Sequence, residues 1–484
     1  MRSLRAGSMT LVAVVAVSLT IGCTSEKIVY RSGTNFAAPT TAAASFIGYA
    51  DVTNKQTVCG SCHIDKQVAW QGTKHASAWG DLQASGGAQG FCEACHTVSN
   101  LGNAVTDTAV GYRSTKDARY HDVQCESCHG AGLNHAGAPN ATNRPLASIQ
   151  ADTNIKNGCG ECHSGSHDPF VNEWRASGHS KTFATSHQST DPYCQGCHTA
   201  QGALLAWQKG GNYVEKGSTA MLDITCAVCH DPHAATNSAQ LRFPINVANA
   251  DNNLCVKCHQ RRGNAADVTT RNSVHAPEGP TLFGTAGWFP PGMSTSDSIF
   301  GTHSSPAKNP KLCAGCHVQK FQDTDPVTKK AVFSTGHRFL ASPCVDASGL
   351  PTTDQTCAST AMTFRSCVGS NCHGTEAAAR NSFNTANLRI ANLVTQANTL
   401  ITQAKAGPKG SECTFVAGKP YTTCMGIQFN ISVATKVGGV IHNPFLAEQL
   451  MIASINQMKK DYNLTVSANL NLEPEFQRPS GGTR

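Results

Sequence analysis

This 484-residue chain contains eight copies of the pattern Cys-x-x-Cys-His, whose residue types and spacing are suited to chemistry. Two thiols at this spacing can form thioether bonds with the vinyl groups of a porphyrin, and the histidine that follows is then held beneath the iron. This is the attachment pattern of c-type haem. Cys-x-x-Cys pairs also occur in zinc sites and redox dithiols, but those sites seldom place a histidine directly after every pair. In chain order they are motif 1 (Cys59, Cys62, His63), motif 2 (Cys92, Cys95, His96), motif 3 (Cys125, Cys128, His129), motif 4 (Cys159, Cys162, His163), motif 5 (Cys194, Cys197, His198), motif 6 (Cys226, Cys229, His230), motif 7 (Cys255, Cys258, His259) and motif 8 (Cys313, Cys316, His317).

A ninth motif has a longer spacing between its cysteines. Motif 9 runs Cys367-Val-Gly-Ser-Asn-Cys372-His373. We interpret it as a further haem site, and the alternative is a disulfide-linked loop. The sequence therefore predicts haem c as the cofactor, with eight copies by the regular motif and a ninth by the long one.

Eleven histidines lie outside the motifs, and nine irons would each need a sixth ligand. The methionines show no ligand pattern, so we expect bis-histidine iron, which has a lower potential than iron held by histidine and methionine. His121 and His187 are the weakest candidates. If His167 is left out as well, eight of the spare histidines are well supported by their positions. Nine irons with eight such ligands leave room for one open iron. The candidate distal ligands are His75, His135, His167, His179, His233, His275, His303, His337 and His442.

Four of the cysteines outside the motifs form an even set in the C-terminal part of the chain. They are Cys344, Cys357, Cys413 and Cys424. Haem attachment of this type happens outside the cytoplasm, where disulfides form, and four cysteines allow three connectivities. We favour nearest-neighbour pairing, because each bridge would close a short loop and contribute about 3 kcal/mol in the chain-entropy model.

Residues 1–22 have the pattern of a lipoprotein signal peptide. Arg2 and Arg5 precede an apolar stretch that is too short to span a bilayer, and Cys23 follows in a sequence similar to a bacterial lipobox. We expect export, lipidation at Cys23 and a membrane-anchored protein in the periplasm, in the outer membrane or at the cell surface. The alternative is simple cleavage that leaves Cys23 free.

The motif spacing divides the rest of the chain. We expect a flexible tether over 23–55, a three-haem module over 56–140, a second three-haem module over 141–240, a third three-haem region over 241–375 and a helical region over 376–484. The two modules are a tandem repeat, because the motif histidines recur about a hundred residues apart. Their flanks agree as well, since Trp70-Gln-Gly-Thr-Lys-His75 matches Trp174-Arg-Ala-Ser-Gly-His179, and His121 aligns with Leu222.

Composition predicts the fold class. Aromatic residues make up 6% of the chain and hydrophobic residues 40%, which is a thin core for this length. Porphyrins would supply the missing apolar surface, so we expect the apoprotein to be largely unfolded. The expected fold is mainly α-helical with much irregular coil, packed around haems, with long C-terminal helices and little or no β-sheet.

The last 110 residues or so predict two long helices. Apolar residues from Phe383 to Ala404 recur at helical spacing, and Gly407-Pro408 ends the pattern. A second helix is predicted to begin at Asn443-Pro444, directly after His442. Two interpretations stay open for them, a helical hairpin packed on the haem core and a seam between two copies of the chain.

The formal net charge of +7 does not indicate a nucleic-acid partner. Signal removal takes away two arginines, and the haem propionates would add negative charge, so the mature holoprotein is expected to be acidic in net charge.

Three segments carry a resemblance to a known superfamily. They are the run Cys-Glu-Ser-Cys-His-Gly-Ala-Gly-Leu-Asn-His that ends at His135, the segment Glu-Trp-Arg-Ala-Ser-Gly-His that ends at His179, and His442-Asn-Pro-Phe-Leu-Ala. They resemble the multihaem cytochromes that include pentahaem nitrite reductase, octahaem hydroxylamine oxidoreductase and tetrahaem electron-transfer cytochromes, and also bacterial extracellular electron-conduit cytochromes. The resemblance implies haem architecture more than a reaction. The Cys-x-x-Cys-Lys motif that holds the active haem of pentahaem nitrite reductase does not occur in this chain.

The sequence therefore favours a carrier that transfers electrons along a chain of bis-histidine haems, with redox proteins as partners and a lipid anchor in a membrane. One alternative is a reductase or oxidase of small nitrogen or sulfur oxyanions with one open haem. Another is a subunit of a conductive filament, with the C-terminal helices at the contact between copies. No nucleic-acid partner is expected.

Overall fold

The computed structural model describes residues 45–151, 157–165, 167–249, 251–268, 270–293, 301–325, 327–329, 331–352, 354, 356–369, 371–436 and 438–476. The expected signal peptide, its lipidation site Cys23 and most of the expected tether lie outside these residues. Within the described part of the chain, no helix is both long enough and apolar enough to cross a membrane.

Short helices dominate the motif-bearing part of the chain. The first thirteen α-helices have eight residues or fewer, a length that is marginal without tertiary packing. The α-helices of the described residues are α1 (Ile64–Gln71), α2 (Ala78–Ala84), α3 (Glu93–His96), α4 (Gly111–Thr115), α5 (Cys125–His129), α6 (Leu133–Gly137), α7 (Phe170–Arg175), α8 (Thr182–Thr185), α9 (Pro192–His198), α10 (Ala200–Ala206), α11 (Cys226–Cys229), α12 (Glu278–Leu282), α13 (Cys313–His317), α14 (Glu376–Ala406), α15 (Thr423–Thr435), α16 (Gly439–His442) and α17 (Pro444–Tyr462). The 3₁₀ turns are Cys59–Ser61, Lys74–Ser77, Gly90–Cys92, Ala118–Tyr120, Cys159–Glu161, Gly178–Lys181, Ser238–Gln240, Ala265–Asp267, Thr302–Ser304, Ser359–Ala361, Arg365–Cys367 and Gly410–Cys413.

Two small antiparallel sheets account for the strands of the described residues. In the first, β1 (Tyr49–Asp51) pairs with β2 (Gln56–Thr57). In the second, β3 (Phe321–Thr324) pairs with β4 (Ala331–Ser334), with Phe321 opposite Ser334. The expected fold class, mainly helix and coil with little sheet, is confirmed.

The folded part of the chain begins earlier than the expected end of the tether at residue 55. Phe46, Ile47 and Tyr49 are buried, and Glu126 of motif 3 accepts hydrogen bonds from the backbone N–H groups of Ile47 and Gly48. The composition of the neighbouring Ala- and Thr-rich segment predicted a tether here, but this short apolar run packs against the segment that carries motifs 1–3.

In the segments over 56–140 and 141–240, equivalent tryptophans hold the backbone before the last motif of each segment, motif 3 in the first and motif 6 in the second. The indole Nε1 of Trp70 donates to the backbone oxygen of Val123 at 2.9 Å, and Trp174 makes the same bond with Ile224 at 2.8 Å. In each segment this bond fixes the backbone just before a motif, at Cys125 in the first and at Cys226 in the second. The two matched tryptophans therefore have the same structural role, which is to fix the backbone that precedes a motif.

The C-terminal region is built on α14 and α17, whose ends lie where the sequence predicts them. Gly407 is the C-cap of α14, and the Asn443 side chain caps α17 by accepting from the N–H of Leu446, with Pro444 in its first turn. The apolar faces of the two helices share one buried cluster that includes Leu393, Leu400, Met451, Ile455 and Met458. The predicted stripes are thus covered by the chain itself.

A third helix, α15, lies between α14 and α17 in sequence and was not predicted. Ile427 packs in the cluster of α14 and α17, whereas Phe429 and Val433 pack in a second cluster with Val268 and Ala286. Because α15 is buried on more than one side, its sequence has no polar face and shows no amphipathic period.

Candidate functional site

Eight motif histidines each face a histidine from elsewhere in the chain. Each pair contains one motif histidine and one of the candidate distal ligands, and the ring centroids lie 6.0–6.4 Å apart. The pairs are His63–His135 (6.4 Å), His75–His163 (6.1 Å), His129–His233 (6.1 Å), His179–His259 (6.3 Å), His198–His275 (6.0 Å), His230–His337 (6.2 Å), His317–His442 (6.1 Å) and His303–His373 (6.4 Å).

This spacing fits one iron between the two imidazoles. Metal–nitrogen bonds of about 2 Å on each side, with each ring centre a little over about 1 Å behind its nitrogen, put the centroids about 6 Å apart. The rings are too far apart to stack on each other, yet the same distance recurs in every pair. The histidine residues therefore fit the axial positions of haem iron.

The pairing joins different segments of the chain. His75, which follows motif 1, faces His163 of motif 4, and its repeat counterpart His179 faces His259 of motif 7. In the opposite direction, His233 from the second segment faces His129 of motif 3 in the first. Each such haem would therefore bind to one segment covalently and to the next through its iron.

Several motif histidines are oriented by hydrogen bonds from Nδ1, which leaves Nε2 available to bind iron. In four of them Nδ1 contacts a backbone oxygen, at 2.6–2.9 Å. Such outer partners fix the ring orientation of metal-ligating histidines. The four contacts are His129 to Pro145, His198 to Thr182, His230 to Ala239 and His317 to Phe339.

The motif 7 histidine has a different partner. His259 Nδ1 lies 3.3 Å from Oε2 of Glu278, at the start of α12. The carboxylate raises the pKa of His259 against the opposing effect of burial. Sequence reasoning missed Glu278 as a site residue, although it stands three positions after the candidate ligand His275.

Burial keeps several distal imidazoles neutral, which is the protonation state that ligates a metal. It lowers the pKa to about 4 in His75, His179, His233, His337 and His442. His337 is additionally held by a buried carboxylate, since Glu173 of the second segment accepts from the N–H groups of Thr335 and His337.

Three histidines outside the motifs, and one motif histidine, take no part in these pairs. They are His121, His167, His187 and the motif 2 residue His96. His167 and His187 are exposed, and among the described residues, which include all twenty histidines, none has a second histidine ring at the pair distance. His167 stays a predicted ligand without an assigned motif histidine, and the next residue, Asp168, acts electrostatically on Cys95 of motif 2.

The motif cysteines are also brought together in pairs from different motifs. Side-chain contacts join motifs 1 and 3, 2 and 4, 4 and 6, 5 and 7, and 7 and 8. The thiol pairs are Cys59–Cys125, Cys95–Cys162, Cys159–Cys226, Cys197–Cys258 and Cys255–Cys313. Since each thiol would attach to one edge of a porphyrin, these contacts place the edges of haems from different motifs next to each other.

Apolar side chains next to the motifs face solvent. Such surface suits a porphyrin face and is otherwise costly to leave in water. The most exposed are Phe91 (82%) before motif 2, Leu205 (77%) after motif 5, and Ile64 (62%) and Val68 (65%) after motif 1. The residues present therefore fit covalently bound haem on three counts, namely paired imidazoles, paired thiols and apolar walls.

Four of the cysteines outside the motifs form two disulfides in the structure, Cys344–Cys357 and Cys413–Cys424. These are the nearest-neighbour pairs favoured by the sequence. The first lies in the segment before motif 9, and the second links the turn after α14 to α15.

Comparison with known proteins agrees with this geometry. The family model of cytochrome c554 and c-prime matches residues 58–130, and the model of the doubled CXXCH motif matches residues 220–264. The C-type polyheme cytochrome OmcC of Geobacter sulfurreducens is 26% identical over 235 residues, which are 47% of this chain and 26% of the relative. The multiheme cytochrome MtrA of Shewanella baltica is 25% identical over 194 residues, 36% of this chain and 53% of the relative.

The matches thus span about a quarter of OmcC and about half of MtrA. Among solved structures, the outer cell wall cytochrome OcwA has the same fold with a TM-score of 0.52, at 17% identity, over 86% of this chain and all of that one. The motifs, the facing imidazoles and these similarities lead to one conclusion: the chain is a multihaem c-type cytochrome that binds haem c covalently.

Proposed function

We propose that the chain carries nine haems and transfers electrons along them between redox partners outside the cytoplasm. The observation that carries the proposal is the set of eight facing histidine pairs, because iron held between two imidazoles has no free position for a substrate. When bound, haem supplies reversible one-electron redox chemistry, and the protein holds the haems close, screens them from water and adjusts their potentials.

The ninth haem is supported by motif 9 itself. His373 faces His303 at 6.4 Å, within the range of the regular motifs. Cys367 lies close enough to Cys316 of motif 8 for their charges to interact. The long spacing between the two cysteines of motif 9 thus keeps the same relation between its histidine, a distal ligand and a neighbouring motif.

The thiol contacts support a continuous route with two branches. Motif 1 contacts motif 3, motif 4 contacts motif 6, and motif 7 contacts motif 8. Electrostatic proximity of Cys128 to Cys159 joins motif 3 to motif 4, and that of Cys229 to Cys258 joins motif 6 to motif 7. Motif 2 attaches to this route through motif 4, and motif 5 attaches through motif 7.

An exported, surface-associated location completes the proposal. The pattern of residues 1–22 and Cys23 favours a lipid-anchored protein, and the similar solved protein is described as an outer cell wall cytochrome. We therefore propose redox proteins and an external acceptor as the partners, with the lipid at Cys23 as the membrane attachment.

Intact mass and electron paramagnetic resonance of the oxidised holoprotein test this function together. We expect a mass increment of nine haems and low-spin signals from at least the eight paired sites. Reduction by a small donor should be followed by complete reoxidation with a protein or mineral acceptor. Fewer than nine haems, or several high-spin irons, would contradict the proposal.

A further inference from the structure

Two aspartates at matching positions of the tandem repeat each hold a turn that serves two haem sites. Asp122 stands three residues before the first cysteine of motif 3, and Asp223 stands three residues before that of motif 6. Neither aspartate is itself a haem ligand, so any effect on a haem must act through the groups that it holds.

The first aspartate fixes the start of α2. Asp122 Oδ1 accepts hydrogen bonds from the backbone N–H groups of Trp79 at 2.9 Å and Gly80 at 3.2 Å. The N–H of the next residue, Val123, donates to the backbone oxygen of His75 at 3.0 Å. The segment from His75 to the start of α2 is therefore tied to the backbone before motif 3 at two adjoining residues.

This segment reaches two haem sites. His75 faces His163 of motif 4 at 6.1 Å. Ala78, three residues later, contacts Nδ1 of His96 of motif 2 through its backbone oxygen at 3.2 Å. One short segment thus supplies the facing imidazole for the motif 4 haem and the oxygen that orients the motif 2 histidine.

The second aspartate fixes the start of α8 in the same way. Asp223 Oδ1 accepts from the backbone N–H of Phe183 at 2.8 Å. The N–H of the next residue, Ile224, donates to Oγ1 of Thr182 at 3.0 Å. The backbone before motif 6 is therefore also tied to the beginning of a short helix at two adjoining residues.

The second segment serves motifs 5 and 7. His179 faces His259 of motif 7 at 6.3 Å. Thr182, three residues later, contacts Nδ1 of His198 of motif 5 through its backbone oxygen at 2.9 Å. The two copies thus agree in the aspartate, in the distal histidine and in the position of the orienting oxygen.

The two haems served by each segment are also neighbours through their thiols. Cys95 of motif 2 contacts Cys162 of motif 4, and Cys197 of motif 5 contacts Cys258 of motif 7. In the electron route, motifs 2 and 5 are branches, and they attach at motifs 4 and 7. We call each such pair of haems, 2 with 4 and 5 with 7, a branch junction.

We propose that Asp122 and Asp223 are positioning residues, each of which fixes the axial histidines of both haems at one branch junction. The proposal rests on the haem attachment and the route in the proposed function, and extends them by assigning the groups that hold the junctions. Without the carboxylate, the distal imidazole of one haem and the proximal imidazole of the other lose their shared support, so both haems change together.

The two copies differ in how firmly the carboxylate is held. Asp122 is buried, and its Oδ2 accepts from the hydroxyl of Tyr49 at 3.0 Å and lies 3.2 Å from Nζ of Lys55. Asp223 is only half-buried. Replacing Asp223 therefore costs less stability, and this copy gives the decisive variants.

Resonance spectra and redox titration of the holoprotein test the proposal at Asp223. Asp223→Ala should shift the low-spin signals and the midpoint potentials of two haems and leave the remaining haems as in the wild type. Asp223→Asn keeps an oxygen that can accept from Phe183, so it should restore the wild-type signals. Asp267→Ala removes the same charge from an exposed position and should overlay the wild type.

Attachment variants identify the two haems that change. Each is compared with and without Asp223→Ala, so that the effect of losing a haem is subtracted. Removing the motif 5 haem, by Cys194→Ser with Cys197→Ser, should leave one of the two shifts. Removing the motif 7 haem, by Cys255→Ser with Cys258→Ser, should leave the other.

The first copy is tested by Asp122→Gly against Asp122→Asn. Asp122 has a backbone φ of 62°, which glycine adopts without strain and asparagine tolerates. The glycine variant should shift the signals of the motif 2 and motif 4 haems, and the asparagine variant should keep them.

Three results would overturn the proposal. Unchanged signals in Asp223→Ala, or a change confined to one haem, would show that the carboxylate does not hold a junction, while the electron-transfer function stands. A change spread over all haems would show a general loss of structure instead of positioning. A chain without attached haem would overturn the proposed function as well.

Discussion

At the scale of single residues, the atom hydrogen-bonded to a proximal Nδ1 is a means of setting the potential of one haem without altering its ligands. Backbone oxygens hold His129, His198, His230 and His317. A carboxylate oxygen holds His259. The negative charge of Glu278 makes the imidazole a stronger electron donor to the iron, which favours the ferric state. The motif 7 haem should therefore have a lower reduction potential than it would with a neutral partner.

Replacing Glu278 by Gln should therefore raise the potential of that haem. The amide oxygen can still accept from Nδ1, so orientation is kept while the charge is lost. We expect a rise of about 60 mV or less, the size of a tenfold change in a one-electron equilibrium. A redox titration followed by low-spin resonance signals would measure it.

Asp107→Asn is the matched control. Asp107 is exposed, so this substitution removes the same charge at the surface. Its titration should overlay that of the wild type. If Glu278→Gln leaves every haem potential unchanged, the carboxylate is a packing element rather than a tuning group.

Residue-scale features were predictable to different degrees. Attachment cysteines and proximal histidines are local in sequence and follow from covalent spacing, and His442 could be named because it precedes a helix start. Which histidines face each other could not be predicted, because partners such as His317 and His442 are brought together only by the tertiary fold. The carboxylate on His259 depends on the same kind of contact.

At the scale of elements, the facing histidines act as cross-links between segments. His75 lies in the short 3₁₀ turn Lys74–Ser77 of the first segment, but faces motif 4 of the second. His75→Ala should add one high-spin haem to the resonance spectrum, and exogenous imidazole should restore the low-spin state.

The affected haem can be identified by removing attachment sites. Adding Cys159→Ser and Cys162→Ser to His75→Ala should abolish the extra high-spin signal, because the motif 4 haem is gone. Adding Cys59→Ser and Cys62→Ser instead should leave it. The reverse result would mean that His75 serves the motif it follows.

A buried ion pair joins the two long C-terminal helices. Arg389 of α14 donates through Nε to Oε1 of Glu448 of α17 at 2.8 Å, and both side chains are buried. Arg389 also donates to the backbone oxygens of Asn471 and Glu473, so the same group holds the chain that follows α17.

Arg389→Met should destabilise the protein by about 3–5 kcal/mol, since it leaves a buried carboxylate without its partner. Lys405→Met on the same helix is the control, because Lys405 is exposed and its loss should change stability by no more than about 0.5 kcal/mol. Denaturant unfolding followed by far-ultraviolet circular dichroism measures both. Equal midpoints for the two variants would contradict a stabilising role for the pair.

Helix ends were predictable where the chain carries an explicit signal. Gly407 and the Asn443-Pro444 pair end and begin helices for local reasons, and the structure places both ends there. By contrast, α15 shows no such period because it is buried between two clusters, and its sequence resembles any apolar segment. Helices with one solvent-exposed face are therefore easier to predict from sequence than helices that are buried inside a core.

At the scale of the whole molecule, the chain contains two kinds of core. The C-terminal helices have a side-chain core of their own and the Cys413–Cys424 disulfide. The motif-bearing part has short helices and smaller separate clusters. Haem attachment should therefore matter much more for the second part than for the first.

Expression without haem attachment should reveal this difference. We expect trypsin to degrade residues 56–375 rapidly in the apoprotein, whereas a C-terminal fragment containing α14, α15 and α17 persists longer. The holoprotein digested in parallel should resist throughout. Uniform resistance of the apoprotein would show that the motif-bearing part folds without its cofactor.

The thiol contacts imply that the haem positions are not equivalent for transport across the molecule. Motif 6 lies on the main route, because Cys226 contacts Cys159 of motif 4 and Cys229 is close to Cys258 of motif 7. Motif 5 lies on a branch, because the contact made by its Cys197 is again with motif 7. Losing the motif 6 haem should break the route, and losing the motif 5 haem should not.

A photoreductant attached at Thr53→Cys, an exposed position in the turn between β1 and β2 that precedes motif 1, can deliver electrons to one end of the route. In the wild type and in Cys194→Ser with Cys197→Ser, the fast phase after repeated flashes should reduce haems throughout the chain. In Cys226→Ser with Cys229→Ser, it should stop at motifs 1–4, and the rest should be reduced only slowly, by exchange between molecules. Both double variants lack one haem, so a difference between them reports position rather than haem number. Equal fast phases would mean that electrons cross the molecule by contacts other than those between the motif thiols.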